Sequence, residues 1–224
     1  MSKNETYDEF VNKFKSKRTT DDCFTPPEIY SVVLDWVKKY YGVNERIIRP
    51  FNPNDDYKKY DYSNAVVVDN PPFSKLAEII DYYLDNNIKF FLFAPSLTCF
   101  SYLYKNRRVC ILPINANIKY ENGARVNTGF VTNLENNAIN INAELYKLIN
   151  DFNKDKPRRK IKHSYDYICI GNCNKLAKRG IDFKIKSFKE FIRKKDNFII
   201  FGGGALLHEY DREKFKKILD DLND

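Results

Sequence analysis

The sequence predicts an α/β protein built on one abbreviated mixed sheet, and three observations carry that expectation. The run Ala65-Val66-Val67-Val68 reads as a strand buried on both faces, because small apolar residues follow one another without alternation. It ends in Asp69-Asn70-Pro71-Pro72-Phe73-Ser74, and two prolines cannot continue a strand. An amphipathic helix over 74–86 and a second apolar strand over 89–94 then complete a right-handed βαβ unit. Finally, 108–112 and 126–134 flank the turn Glu121-Asn122-Gly123 and read as a C-terminal antiparallel hairpin.

Taken in order, residues 1–20 form a polar arm, 21–142 the core, and 143–224 an α/β extension that completes or flanks it. Thr25 as N-cap, Pro26 in the first turn and Glu28 three residues on make a capping box. The helix it opens carries Ile29, Val32, Val33, Trp36 and Val37 on one side. A short strand over 45–48 leads into Arg49-Pro50-Phe51. Parallel strands normally need a crossover of about a dozen residues or more, usually helical, whereas 52–63 reads as polar loop. The sheet is therefore expected to be shortened here. In the helix over 74–86 the apolar side is Leu76, Ile79, Ile80, Tyr83 and Leu84. The strand after it ends in Pro95-Ser96-Leu97-Thr98, which should lie beside Asn70 at the same sheet edge.

In the extension, helices are expected over 143–152, 172–179 and 188–194, and strands over 165–170, 181–185 and 197–201. Gly202-Gly203-Gly204 follows, either as a phosphate-type cradle for a cofactor or as a flexible bend, and a terminal helix starts near Tyr210.

Composition narrows the function classes. The chain of 224 residues is 43% hydrophobic, enough for a core, and holds neither an apolar run long enough to span a membrane nor a basic-then-apolar leader. A cytoplasmic protein is expected. Five scattered cysteines suit reduced thiols better than a disulfide framework, and Cys169 and Cys173 lack a second pair at zinc spacing, so no metal is expected. Lys and Arg total 38 against 30 Asp and Glu, a net charge of +8 that favours a polyanionic partner. The excess is concentrated around Lys13, Lys15, Lys17 and Arg18, and again at Lys156, Arg158, Arg159, Lys160 and Lys162, the candidate nucleic-acid contacts. His163 and His208 lack partners that would make either a catalytic base.

The order Asn70-Pro71-Pro72-Phe73 suits one chemistry. An exocyclic amino group on a nucleobase is a poor nucleophile because its lone pair is delocalised into the ring. Two acceptors aimed at its N–H bonds, the Asn70 side-chain oxygen and the Pro71 carbonyl, would pull the nitrogen towards a tetrahedral shape and localise that pair. Proline's fixed φ holds the carbonyl in place, and Phe73 offers a face for a base swung out of its duplex.

This tetrapeptide resembles the catalytic motif of S-adenosylmethionine-dependent amino-methyltransferases, especially the DNA adenine N6 class. The run from Asp22 to Leu134, roughly half the chain, looks like a family of compact adenine-methyltransferase-like proteins of phages and bacterial mobile elements. The resemblance implies a Rossmann-like methyltransferase fold ending in an antiparallel hairpin, S-adenosylmethionine as cofactor and DNA as partner. It implies catalytic roles for Asn70, Pro71, Pro72 and Phe73. It places Thr25-Pro26-Pro27 over the methionine end of the cofactor and Pro50-Phe51 beside it, with Asp69 among the cofactor residues. Two features depart from the family pattern: Arg49 stands where an acidic residue is expected, and Pro53 and Asp55 stand where glycines are. Asp55, Asp56 or Asp61 could replace the missing ribose ligand, and the spacing selects none of them. An alternative reading follows from those departures: a catalytically eroded, methyltransferase-shaped protein that binds nucleic acid or another protein.

Overall fold

A computed structural model describes residues 24–52, 55–152, 166–195 and 198–222. Its main sheet has seven strands in the order β1-β2-β3-β5-β4-β6-β8. These are β1 Arg46–Ile48, β2 Ala65–Asp69, β3 Lys89–Pro95, β4 Cys110–Lys119, β5 Arg125–Thr132, β6 Ile139–Ile141 and β8 Phe183–Ile185. The sheet is mixed: β5 and β8 run against the rest, since β3, β4 and β6 pair antiparallel with them while β1–β2, β2–β3 and β4–β6 are parallel. A second sheet of order β7-β10-β9 joins Tyr167–Cys169, Phe198–Leu206 and Glu190–Lys195. The helices are α1 Pro27–Tyr41, α2 Leu76–Asp85, α3 Ser96–Lys105, α4 Ala143–Asn150, α5 Ile170–Lys178 and α6 Glu209–Asp221.

Strand alternation explains the layers. Val67, Phe90, Leu92 and Ala94 point to one side of the sheet, where Leu76, Ile79, Ile80 and Tyr83 of α2 and Cys99, Phe100 and Leu103 of α3 cover them. Val66, Val68, Phe91 and Phe93 point to the other, where Val33, Trp36 and Val37 of α1 pack. With both faces covered, β2 and β3 can be continuously apolar, which is why their composition shows no alternation.

The crossover from β1 to β2 lacks a helix among its described residues, as expected, and holds a single 3₁₀ turn at Tyr57–Lys59. Aromatic rings do the packing instead: Phe51, Tyr57 and Tyr62 gather round Tyr83 at centroid distances of 6.4, 6.1 and 5.5 Å. The β4–β5 hairpin is present and longer than the sequence indicates. Its turn contains Gly123 at φ 84, and β4 is broken by a register shift between Leu112 and Ala116, where Asn115 has φ 58. Asn174 of α5 donates to the carbonyls of Ile114 and Asn115 at 3.1 and 3.3 Å, so the irregular backbone there is not left unpaired.

Several expectations are corrected. The helix after Thr25 starts at Pro27 with Pro26 as N-cap and no side-chain cap, so the Thr25–Glu28 capping box does not form. Strand β3 stops at Pro95, and residues 96–98 open α3 instead of ending the strand. Residues 188–194 carry Phe188, Phe191 and Ile192 at helical spacing, yet 190–195 are strand β9, because β10 pairs with Glu190, Phe191 and Ile192. Gly202, Gly203 and Gly204 lie inside β10 rather than in a turn, and added Cβ atoms would meet Leu97 O, the Phe191 ring and Ile168 O at 2.5, 2.4 and 2.8 Å. They are close-packed against protein, not a cofactor cradle. Within 143–224, β8 pairs with β6 at the edge of the main sheet, while β7, β9 and β10 form the second sheet.

Gly129 of β5 offers a direct test of this packing. A Cβ there would stand 2.7 Å from the Leu112 carbonyl and 3.2 Å from both Cys99 Sγ and Ser96 Oγ. Gly129→Ala should lower unfolding free energy by roughly 1–3 kcal/mol, read from urea denaturation at unchanged m-value.

Candidate functional site

Strand β2 is buried along its whole length and stops at Asp69. The chain then passes through Asn70, half-buried, Pro71, buried, and Pro72 and Phe73, half-buried. Two N–H groups of the following turn close it, with Lys75 donating to Pro72 O at 3.0 Å and Leu76 to Phe73 O at 3.4 Å. The sharp exit predicted from the two prolines is therefore built, and it sits at the carboxyl end of the parallel strands β1, β2 and β3. This is the edge where ligands bind in open α/β sheets.

Two other segments converge there. The Tyr30 hydroxyl of α1 donates to Val68 O at 3.0 Å, two residues before Asn70. The Phe73 ring meets Tyr120 edge-on at 6.3 Å, and the next residue, Glu121, donates its N–H to Phe24 O at 3.1 Å. Phe73, the β4–β5 turn and the Phe24-Thr25-Pro26-Pro27 segment thus form one continuous corner. Thr25 is buried, and its Oγ1 has no hydrogen-bond partner among the described residues. A buried hydroxyl without a partner is uncommon in a settled core, and it fits a group that completes its bonding from a ligand.

Strand β1 delivers Arg49, Pro50 and Phe51 to the same edge. Both oxygens of Asp69 are engaged by this loop: Arg49 Nε donates to Oδ1 at 3.1 Å and the Phe51 N–H to Oδ2 at 3.2 Å. The Arg49 guanidinium also lies 3.8 Å over the Tyr30 ring. Burial raises the Asp69 carboxyl above its ordinary value, while Arg49 and the N–H groups of Asn70 and Phe51 pull it part of the way back. Burial likewise pushes the Tyr30 phenol up to about 12, against the pull of Arg49.

All the candidates outside the basic run come to this corner: Thr25, Pro26 and Pro27 through Phe24, Pro50 and Phe51 through Asp69, and Asn70 to Phe73 directly. Lys156, Arg158, Arg159, Lys160 and Lys162 lie outside the described residues, as do the basic residues of the arm. Asp55 and Asp61 have local engagements instead of pointing at one site, Asp55 accepting from Tyr60 and Asn52 and Asp61 from Arg46 and Ser63. Sequence reasoning missed Tyr30 and Tyr120. Tyr30 falls on the expected helix, but no periodicity foretells a tyrosine reaching a neighbouring strand's carbonyl.

A groove of about 440 Å³ opens elsewhere, lined by Glu45, Tyr62, Asn64, Ala65 and Lys89 among others. Ala65 and Lys89 begin β2 and β3, so the groove lies at the amino edge, opposite the Asn70 corner. Among the described residues no cluster of His, Cys, Asp and Glu could hold a metal ion, and no helix is long and apolar enough to cross a membrane.

Fold and site define an α/β protein with a polar, proline-walled corner at the carboxyl edge of its parallel strands. Comparison with known proteins finds no matching family model, no similar curated protein and no similar solved structure.

The Asp69 tie gives a pH signature. An acid whose native pKa exceeds its unfolded value of about 3.9 holds its proton more tightly when folded. Its contribution to stability is fully present below the unfolded value and is lost as pH rises through the native one. In urea titrations at a series of pH values, wild-type stability relative to Asp69→Asn should therefore fall on going upward from about pH 4. A difference that grows with pH would show the carboxyl to be lowered instead.

Proposed function

We propose that the chain is an S-adenosylmethionine-dependent methyltransferase acting on the N6 amino group of adenine in DNA. The observation that carries this reading is the convergence of Thr25-Pro26-Pro27 on the Asn70-Pro71-Pro72-Phe73 exit at the carboxyl end of a buried strand, two separated motifs meeting at one corner. The net charge of +8 supports a polyanionic substrate.

The cofactor would supply an electrophilic methyl group held on a sulfonium, which leaves as a neutral thioether when the amino nitrogen bonds to the methyl carbon. The chain's own residues do the rest. Asn70 Oδ1 and the Pro71 carbonyl accept from the two N–H bonds of the amino group and localise its lone pair. The prolines hold that geometry without a moving lid. Phe73 borders the base, braced edge-on by Tyr120. The Thr25 hydroxyl, buried and without a partner among the described residues, would bond the cofactor's methionine end. No general base is needed, because the alkylated ammonium loses its proton to water readily.

A second reading, a binding protein that has lost catalysis, is favoured by a specific feature. Arg49 is clamped between Asp69 and the Tyr30 ring, so a cation stands at the corner where a cationic sulfonium would have to approach. Calorimetric titration with S-adenosylmethionine separates the two readings: saturable binding supports the enzyme, and no heat up to millimolar ligand removes it. With radiolabelled cofactor and adenine-containing DNA, Asn70→Ala should reduce methyl transfer by about 100-fold or more while leaving cofactor affinity unchanged. Equal activity in that variant would exclude the proposed polarisation of the amino group.

A further inference from the structure

The glycine run of β10 has a structural purpose that does not involve a cofactor. On β9, Ile192 pairs with Gly204 and Lys194 with Ile199, so residues 200–203 of β10 stand against Arg193 alone. That is a large bulge, and Gly202 and Gly203, both at φ 76, supply the left-handed backbone it requires. A bulge of this kind re-aims side chains. Here Ile200 is turned inward and buried, while Ile199 and Phe201 are turned out, at 71% and 80% exposure.

The location of the bulge is as informative as its shape. Gly202 approaches so closely that a Cβ would lie 2.5 Å from the carbonyl of Leu97, in the first turn of α3. That turn follows directly on Pro95 at the carboxyl end of β3, the strand paired with β2. Phe201 is thus displayed at the same sheet edge as Asn70, one strand further along, with the half-exposed Leu97 beside it. The hairpin is held firmly. Tyr104 of α3 stacks on Phe191 of β9 at 4.9 Å and 28°, and the Arg193 guanidinium lies 5.7 Å from the Phe191 ring. Arg193 and Lys194 are exposed on β9, with Glu190 the one exposed carboxylate described on that strand.

We infer that the β9–β10 hairpin is a DNA-contacting element, with Phe201 stacking on a base face and Arg193 and Lys194 meeting the adjoining phosphates. An outward aromatic on a hairpin that also carries exposed cations suits single strands and opened duplexes, since every base has a π-face and every linkage a negative charge. Beside a site that takes an extruded base, such a ring fills the space the base has left or stacks on its neighbour. The inference rests on the nucleic-acid half of the proposed function and not on its methyl-transfer half.

The test is fluorescence anisotropy of the full chain, without cofactor, on a labelled single-stranded DNA and on the matching duplex. Phe201→Ala should weaken single-strand binding about tenfold, and Phe201→Trp should restore it. Arg193→Ala with Lys194→Ala should reduce the slope of log affinity against log salt by roughly one. Because the Phe201 side chain is exposed, the melting temperatures of Phe201→Ala and Phe201→Trp should stay at the wild-type value, which keeps the reading free of unfolding. No DNA binding by the wild type, or equal affinity in Phe201→Ala, overturns the inference. DNA binding that depends on Phe201 in a chain that transfers no methyl group leaves the hairpin's role standing and removes the adenine N6 reading alone.

Discussion

Double-sided burial of β2 and β3 is the constraint on which the remaining architecture depends. Val66, Val67, Val68, Phe90, Phe91, Leu92 and Phe93 are all fully buried, shared between α1 on one side and α2 and α3 on the other. With no solvent face available, these strands lie in the interior of the sheet, and polar groups next to them are placed at their ends. Pro71 and Pro72 make one such end abrupt. The hydrophobic layers therefore do more than stabilise: they define the edge at which chemistry can occur.

At that edge one ion pair binds the parts together. Asp69, nearly excluded from water, is held by Arg49, just past the end of β1, and by the Phe51 N–H, and Arg49 in turn lies on Tyr30 of α1. Removing the Arg49 charge would leave the buried Asp69 carboxylate without its cation, so the pair helps hold the β1 exit, β2 and α1 together. The same pair creates the tension in the functional reading. It anchors the exit loop that the corner needs, and it sets a cation where the proposed cofactor also carries positive charge.

Much of the main sheet was legible because short-range physics governs it. The apolar runs at 65–68 and 89–94, the Pro-Pro stop and the Glu121-Asn122-Gly123 turn each impose a local geometry that no neighbour is needed to enforce. The failures share a cause. Phe188, Phe191 and Ile192 fit a helix by spacing, and became a strand because β10 lay alongside with unsatisfied backbone groups. Gly202 and Gly203 looked like a turn, and proved to be a bulge whose glycines are required by Leu97 and Phe191, residues distant in sequence and nearby in space. Thr25 had every local mark of a helix cap, yet the helix began two residues on and left its hydroxyl buried.

Local pattern was thus sufficient for the α/β class, the position of the strand exits and the choice of Asn70-Pro71-Pro72-Phe73 as the centre of interest, since those follow from backbone restrictions and burial that act within a few residues. Which side chains share a corner was a matter of long-range contact. Tyr30 reaching Val68, Arg49 pairing with Asp69, Tyr120 bracing Phe73 and the bulge turning Phe201 outward all depend on strand register and helix packing, which are set when the whole sheet assembles.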